Sequence, residues 1–201
     1  MARSKSHELI NGFVHTPSFW YLCGASEDAY LGVDKGKGNY EFDLDSASLS
    51  WLQAIHPILL ELINKDVTIR PHTNRAHHRI RFWHKQLVLE LQRVKANPRL
   101  VLAINHELQR HYIAGFFDAE GTATITGSKQ PSLSIYSTNV EKLELLSGLL
   151  NQESITSGIY HPQTRNVRQL YITGRGSVKQ FASIMPLRHP AKRQKVHEIQ
   201  Q

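Results

Sequence analysis

The chain has 201 residues, of which 40% are hydrophobic, with 24 Lys and Arg against 17 Asp and Glu for a formal net charge of +7. That composition supplies a core and excludes intrinsic disorder, while the basic surplus points to a polyanionic partner. The single cysteine, Cys23, excludes a disulfide framework and a cysteine-rich zinc site and fits an intracellular setting. No run of 18 apolar residues is present to cross a membrane, and Met1–Ile10 lacks the apolar stretch of a secretory signal.

In chain order, Trp20 to Asp28 has helical spacing close to turn-forming residues, and Tyr30 to Asp34 reads as a strand. After the turn Lys35-Gly36-Lys37-Gly38, Asn39 to Asp45 alternates strictly, with Tyr40, Phe42 and Leu44 on one side. Ser46 or Ser48 caps a helix through Trp51, Ile55, Leu59 and Leu62, in which Pro57 predicts a kink. Val67 with Ile69 and Ile80 with Phe82 mark two more strands about the turn Pro71–Asn74, and Gln86 to Ala96 is helical. The order then repeats. His106 to Glu120 is a helix stopped by Gly121, and strands carry Ala123 with Ile125 and Leu133 with Ile135. Asn139 caps a helix with Leu143, Leu146 and Leu150 inward and Glu141, Lys142 and Glu144 left for solvent. Strands through Ile155 to Ile159 and Leu170 to Ile172 follow, then a helix over Ser177–Met185 and a basic tail over residues 186–201 that forms a final helix.

The chain therefore reads as a tandem duplication with a period near 90 residues. At an offset of 91, Tyr21 matches Tyr112, Gly24 matches Gly115, and His84 and Lys85 match Arg175 and Gly176. Each half supplies an antiparallel sheet with helices on one face, leaving the other face wet and concave. The charge is uneven: residues 1–65 carry five Lys and Arg against eight acids, residues 66–111 nine against three, and residues 112–201 ten against six. Between Val67 and Lys85 there is no acid. A solvated face explains such a run as readily as a polyanion site does. The histidines His72, His77, His78 and His84, interleaved with arginine and without cysteine, fit a nucleic-acid face better than a metal cluster. Cys23 fits as a small core residue on the first helix.

The most informative stretch is Tyr112-Ile113-Ala114-Gly115-Phe116-Phe117-Asp118-Ala119-Glu120-Gly121. Its apolar residues make a buried helix, and Ala114 and Gly115 admit a second helix backbone at close range. Asp118 and Glu120 stand at the helix C-terminus, where the macrodipole disfavours negative charge by a few tenths to about 1 kcal/mol each. A divalent cation such as Mg²⁺ gives hard oxygen ligands there a reason; a core helix ending in solvated acids is the plainer alternative.

Ile113 to Gly121 resembles the motif of the LAGLIDADG homing endonucleases. The resemblance extends to Ser134–Asn139 and to the run from Leu170 through Met185-Pro186-Leu187-Arg188-His189-Pro190 to Arg193, covering residues 18–200 with the second half closer than the first. It implies an α+β fold of two pseudo-symmetric αββαββα halves whose antiparallel sheets form a DNA-binding saddle. The expected divisions are 1–17 as an N-terminal extension, 18–98 as a first half with a degenerate motif, and 99–201 as a second half with an intact one. It implies a monomeric, metal-dependent endonuclease acting on double-stranded DNA at a long target site. In it Glu120 binds Mg²⁺ at the scissile phosphates, and Lys85 (beside His84) and Arg175 are the catalytic cations after the fourth strand of each half. Asp45 and Ser137 lie near the family's water-positioning sites. Recognition is expected from Arg70, His72, Arg79, Arg81, Thr124, Thr126, Ser132, Ser134, Tyr136, Gln169 and Tyr171 on the sheet faces, with arginine suited to guanine and Gln169 to adenine. Lys35, Lys37, Lys129, Arg165, Lys192 and Arg193 in turns and tail suit phosphates.

The first half departs from the family's pattern. Aligned without gaps, Glu27 matches Asp118, but Ala29 matches Glu120. Asp28 supplies the second catalytic and metal-binding acid if the helix end is rewound. Otherwise the site is lost, leaving a nickase or a non-cleaving binder of nucleic acid, such as an intron RNA maturase or a DNA-binding regulator.

Overall fold

The computed structural model describes residues 12–34, 36–73, 75–125, 130–161 and 166–200. Lys35, Thr126, Lys129 and Arg165 lie outside the described residues, as do residues 1–11 of the expected extension. Helix α1 (Pro17–Ala25) opens on the side-chain cap of Thr16 and is followed by a 3₁₀ turn, Ser26–Asp28. Strands β1 (Ala29–Asp34) and β2 (Asn39–Ser46), helix α2 (Leu49–Ile63), strands β3 (Ile69–Pro71) and β4 (His78–Trp83) and helix α3 (Lys85–Ala96) complete the first half. The second contains α4 (His106–Glu120), β5 (Gly121–Ile125), β6 (Pro131–Ser137), α5 (Val140–Gln152), β7 (Ser157–Tyr160), β8 (Arg168–Thr173), α6 (Arg175–Ile184) and α7 (Pro190–Ile199). A 3₁₀ segment, Pro98–Ala103, joins them and was not foreseen from the sequence.

Helix α2 takes Ser48 rather than Ser46 as its cap and runs unbroken through Pro57. Strand β3 spans only three residues, since Val67 is already buried ahead of it. Lys142 is not left for solvent: it is 6% exposed and ion-paired to Glu27, with Nζ 2.8 Å from each carboxylate oxygen. Helical periodicity could not see a partner 115 residues away.

The sheets share one topology, β1-β2-β4-β3 and β5-β6-β8-β7, all antiparallel. One face of each carries the core, through Phe42, Leu44, Ile80 and Phe82 in the first and Leu133, Ile135, Leu170 and Ile172 in the second. Helices α1 and α4 cross between the halves with backbones in contact. A Cβ on Gly24 would sit 2.1 Å from the Tyr112 carbonyl oxygen, and one on Gly115 2.0 Å from that of Tyr21. Glycine is required at both positions because any side chain must push the helices apart.

The registers of the halves correspond, but the offset between them drifts. Gly24 and Gly115 stand 91 apart, whereas the first strand residues, Ala29 and Gly121, stand 92 apart. The 3₁₀ turn accounts for the extra residue. Three 3₁₀ residues at about 2.0 Å rise cover about 6 Å, the span of four α-helical residues. Asp28 therefore arrives where an α-helix would carry residue 29.

Candidate active site

The ends of the two motif helices lie together. Glu120 is the last residue of α4 and Asp28 the last of the turn after α1. Their carboxyls lie within hydrogen-bonding reach, and Glu120 is pushed up to about 7 by burial and then by the adjacent Asp28 charge. Two adjacent carboxyls in a half-buried site offer hard oxygen donors to a cation. The motif's other acid has a different fate. Asp118 is 1% exposed and binds the Tyr21 hydroxyl and the amides of Arg188 and His189. Glu27, matched to it in sequence, pairs with Lys142 instead.

Two lysines flank the pair. Lys95 on α3 donates to the carbonyls of Ser26, Glu27 and Ala29 at 2.9–3.2 Å. Lys192 on α7 donates to those of Phe117, Asp118 and Ala119 at 2.7–3.2 Å. Each ammonium caps the carbonyl end of one motif helix, where a cation is favoured. Burial lowers both pKa values, and the nearby carboxylates, Asp28 and Glu120 among them, oppose that shift. Lys95 escapes sequence reading because it sits on the amphipathic face of an ordinary helix, and Lys192 reads from the sequence as a phosphate contact of the tail. The sequence signal that could have found Lys192 is its place after the His189-Pro190 helix start.

The structure does not bring Lys85 and Arg175 to the carboxylates. Counted through the strand registers the halves are offset by 90 there, so Lys85 does match Arg175, and His84 matches Gly174 rather than Arg175. Both begin helices at the outer ends of the sheets. Lys85 lies over the Tyr40 ring at 5.5 Å. Tyr40 is four residues along β2 from Leu44, which pairs with Ala29, so it stands roughly 13 Å away at about 3.3 Å per residue. Arg175 is exposed just beyond Thr173, at the outer end of β8. His84 is buried and caps α3, its Nδ1 accepting from the Leu87 amide.

On the outward face of the first sheet, the cations meet acids on β2. Arg79 pairs with Asp43, Arg81 with Glu41 and more distantly with Asp43, and His77 and His72 with Asp45 at 3.0 and 3.9 Å. Arg70 is exposed on β3, and Lys37 is held in its turn by Asp34. On the second sheet Thr124, Tyr136 and Tyr171 are exposed. Ser132 and Ser134 are 6% and 4% exposed, covered by neighbouring strands, and Ser134 accepts from Gln169 at 2.7 Å. Ser137 accepts from the Asn139 amide, so it serves the entry to α5. Among the described residues no group of three or more His, Cys, Asp or Glu forms a metal cage, and no helix is long and apolar enough to cross a membrane.

The fold and this site define a two-motif protein with paired sheets and an acid at the end of each central helix. The family described as LAGLIDADG-like domain matches residues 107–186. The homing endonuclease I-ApeI of Aeropyrum pernix is 28% identical over 203 residues, 90% of this chain and 86% of that protein. The crystal structure of I-DmoI in complex with DNA and Mn matches with a TM-score of 0.65 at 23% identity, covering 85% of this chain and 97% of that one. The homing endonuclease I-WcaI bound to its DNA recognition sequence matches with a TM-score of 0.69 at 19% identity, covering 90% and 87%. Residues 107–186 thus match the LAGLIDADG-like domain, and the whole chain shares the fold of solved structures in which both motif helices lie in one polypeptide.

Proposed function

We propose that the protein is a site-specific DNA endonuclease that hydrolyses phosphodiester bonds with a divalent metal, Mg²⁺ being the natural candidate. The observation that carries this reading is the Asp28–Glu120 pair, with the Glu120 carboxyl pushed up to about 7. Ala29 at the motif position favoured the non-cleaving alternative, but Asp28 supplies the second acid through the 3₁₀ turn. The comparison proteins are named as homing endonucleases, and two are bound to DNA. A site with two protein carboxylates and no cage of its own suits Mg²⁺, which keeps waters and takes its remaining ligands from substrate phosphates.

When bound, the metal would polarise the phosphate and lower the pKa of a coordinated water. Asp28 and Glu120 would hold it. Lys95 and Lys192 would place positive charge beside the phosphate, where negative charge grows in the transition state. Lys85 and Arg175 would anchor phosphates further out, and the sheet faces would read base edges from Arg70, Arg79, Arg81, Gln169 and their neighbours. The protein would act as a monomer, since one chain carries both acids. The test is cleavage of a plasmid pool carrying the gene's own flanking junction. Wild type with Mg²⁺ is expected to cut it, and Glu120→Gln and Asp28→Asn each to abolish double-strand cutting. Unchanged cutting by Glu120→Gln overturns the mechanism.

A further inference from the structure

Asp118 is a motif acid that the chemistry does not use. It is 1% exposed, and only one of its oxygens is satisfied. Its Oδ2 accepts from the Tyr21 hydroxyl at 2.7 Å, the Arg188 amide at 2.7 Å and the His189 amide at 2.9 Å. Its Oδ1 is buried with no hydrogen-bond partner. A buried carboxylate left half-paired is costly, so its hydrogen bonds must secure something.

What they secure is the chain entering α7. His189 caps that helix, its Nδ1 accepting from the Lys192 amide at 3.4 Å. Burial pushes the His189 ring down to about 4, which keeps it the neutral acceptor that a cap needs. The ring stacks on Trp51, whose Nε1 donates to the same Tyr21 hydroxyl at 3.1 Å, and the Arg188 guanidinium lies over the Tyr21 ring. Three residues after His189, the Lys192 ammonium reaches back to α4 and donates to the Asp118 carbonyl itself at 2.7 Å. Asp118 thus grips α7 twice. Its side chain holds the backbone before the helix, and its main chain receives the ammonium that the helix carries. The first half lacks this device. There Glu27 turns to Lys142, and Lys95 arrives on α3 without a carboxylate on the backbone that leads to it.

We infer that Asp118 is a positioning residue: it sets the Lys192 ammonium beside Glu120 by fixing the Arg188–His189 backbone. It acts through Lys192 and touches neither substrate nor metal. The part of the test that reads cutting rests on the proposed endonuclease activity; the other part does not.

The first readout needs no metal and no DNA. Lysine acetylation is followed by mass spectrometry, with Lys195, half-exposed on the same helix, as internal reference. In wild type the ammonium bound to three carbonyls reacts slowly. Asp118→Ala is expected to raise the Lys192 rate relative to Lys195 by about tenfold, as local opening exposes it. Asp118→Asn, whose amide oxygen still accepts from the two backbone amides, is expected to lie closer to wild type. An unchanged Lys192 rate in Asp118→Ala overturns the inference. The second readout is single-turnover cleavage by Asp118→Ala, Lys192→Met and the double variant, with target affinity measured in Ca²⁺. If Asp118 works through Lys192, the double variant is no slower than Lys192→Met and affinity is unchanged. Additive losses, or affinity and rate falling together, mark a merely structural role and overturn it. Should Asp118→Ala fail to fold, Asp118→Ser, whose shorter side chain cannot reach both backbone amides, is judged by the same readouts, a Lys192 rate and a cleavage rate both equal to wild type overturning the inference. A wild type that does not cut its target overturns the endonuclease reading, while acetylation still decides where Lys192 sits.

Discussion

Glu120 and Asp28 face each other as two like charges at the carbonyl ends of two helices, an arrangement that favours a proton on Glu120 against the opposing Lys192 charge. Burial and then the Asp28 charge push the Glu120 carboxyl up to about 7 from an ordinary value near 4.5. The sign for stability follows from linkage. A carboxyl whose folded pKa is raised contributes its full stability below about 4.5 and loses it as pH rises through about 7. A bound divalent cation reverses this, because it favours the ionised pair and displaces the Glu120 proton. The melting temperature without metal should therefore fall between pH 5.5 and 8 through this group, and the increase given by Mg²⁺ should be larger at pH 8. Calorimetric titration should show Mg²⁺ affinity rising with pH and levelling above about 7. Asp28→Asn, which removes the neighbouring charge, should weaken binding and move that midpoint down. An Mg²⁺ affinity independent of pH across this range would show that Glu120 holds no proton that the metal must displace.

At the scale of elements, the decisive feature is how two nearly identical helices end differently. Glu120 was legible from its own motif, because its helix stays α-helical to the last residue and matches the pattern without a gap. Asp28 was legible only as a possibility. The sequence places Ala29 at the motif position, and only the 3₁₀ turn, which stretches three residues over the length of four, carries Asp28 there. Propensity does not announce that turn; packing does. Ser26 Oγ donates to the Cys23 carbonyl, and the Lys95 ammonium gathers three carbonyls around the turn, two contacts that favour the tighter winding. A pair of variants separates position from identity. Asp28→Ala should abolish double-strand cutting, and moving the acid one residue on, as Asp28→Ala with Ala29→Asp, should not restore it. Residue 29 is the first of β1 and only 5% exposed, so an aspartate there is buried among core groups. Restored cutting would mean that α1 continues as an α-helix to residue 29. The inward side of the strands and the core were readable for a simpler reason. Alternation over β2, β4, β6 and β8 fixes which side of each strand is inward, and Phe42, Leu44, Leu133 and Ile135 are all buried as it requires. Contacts across the sequence were not readable, which is why Lys142, Lys95 and Lys192 needed the structure.

For the whole molecule, the net charge of +7 overstates what the outward faces of the sheets offer to a polyanion. The first sheet presents Arg79 and Arg81 already paired with Glu41 and Asp43, and His72 and His77 with Asp45. The second presents mainly hydroxyls and an amide at its described outward positions, through Thr124, Tyr136, Gln169 and Tyr171. On the proposed reading the acids of β2 would cost affinity for DNA, since each holds a cation that would otherwise meet a phosphate, but they would also fix the planar arginine forks in one orientation. Orientation is what base reading needs, and free charge is what non-specific binding needs. The salt dependence of affinity measures the difference, because its slope counts the phosphates neutralised, at about 0.9 per contact. Asp43→Asn frees Arg79 and loosens Arg81. It is expected to strengthen binding to random duplex DNA, to steepen the salt dependence by about one contact, and to narrow the gap between target and random sequence. Fluorescence anisotropy on both duplexes across a series of salt concentrations reads all three. A slope and a gap both equal to wild type would mean that the β2 acids restrain nothing, and that the arginines leave them freely when DNA binds.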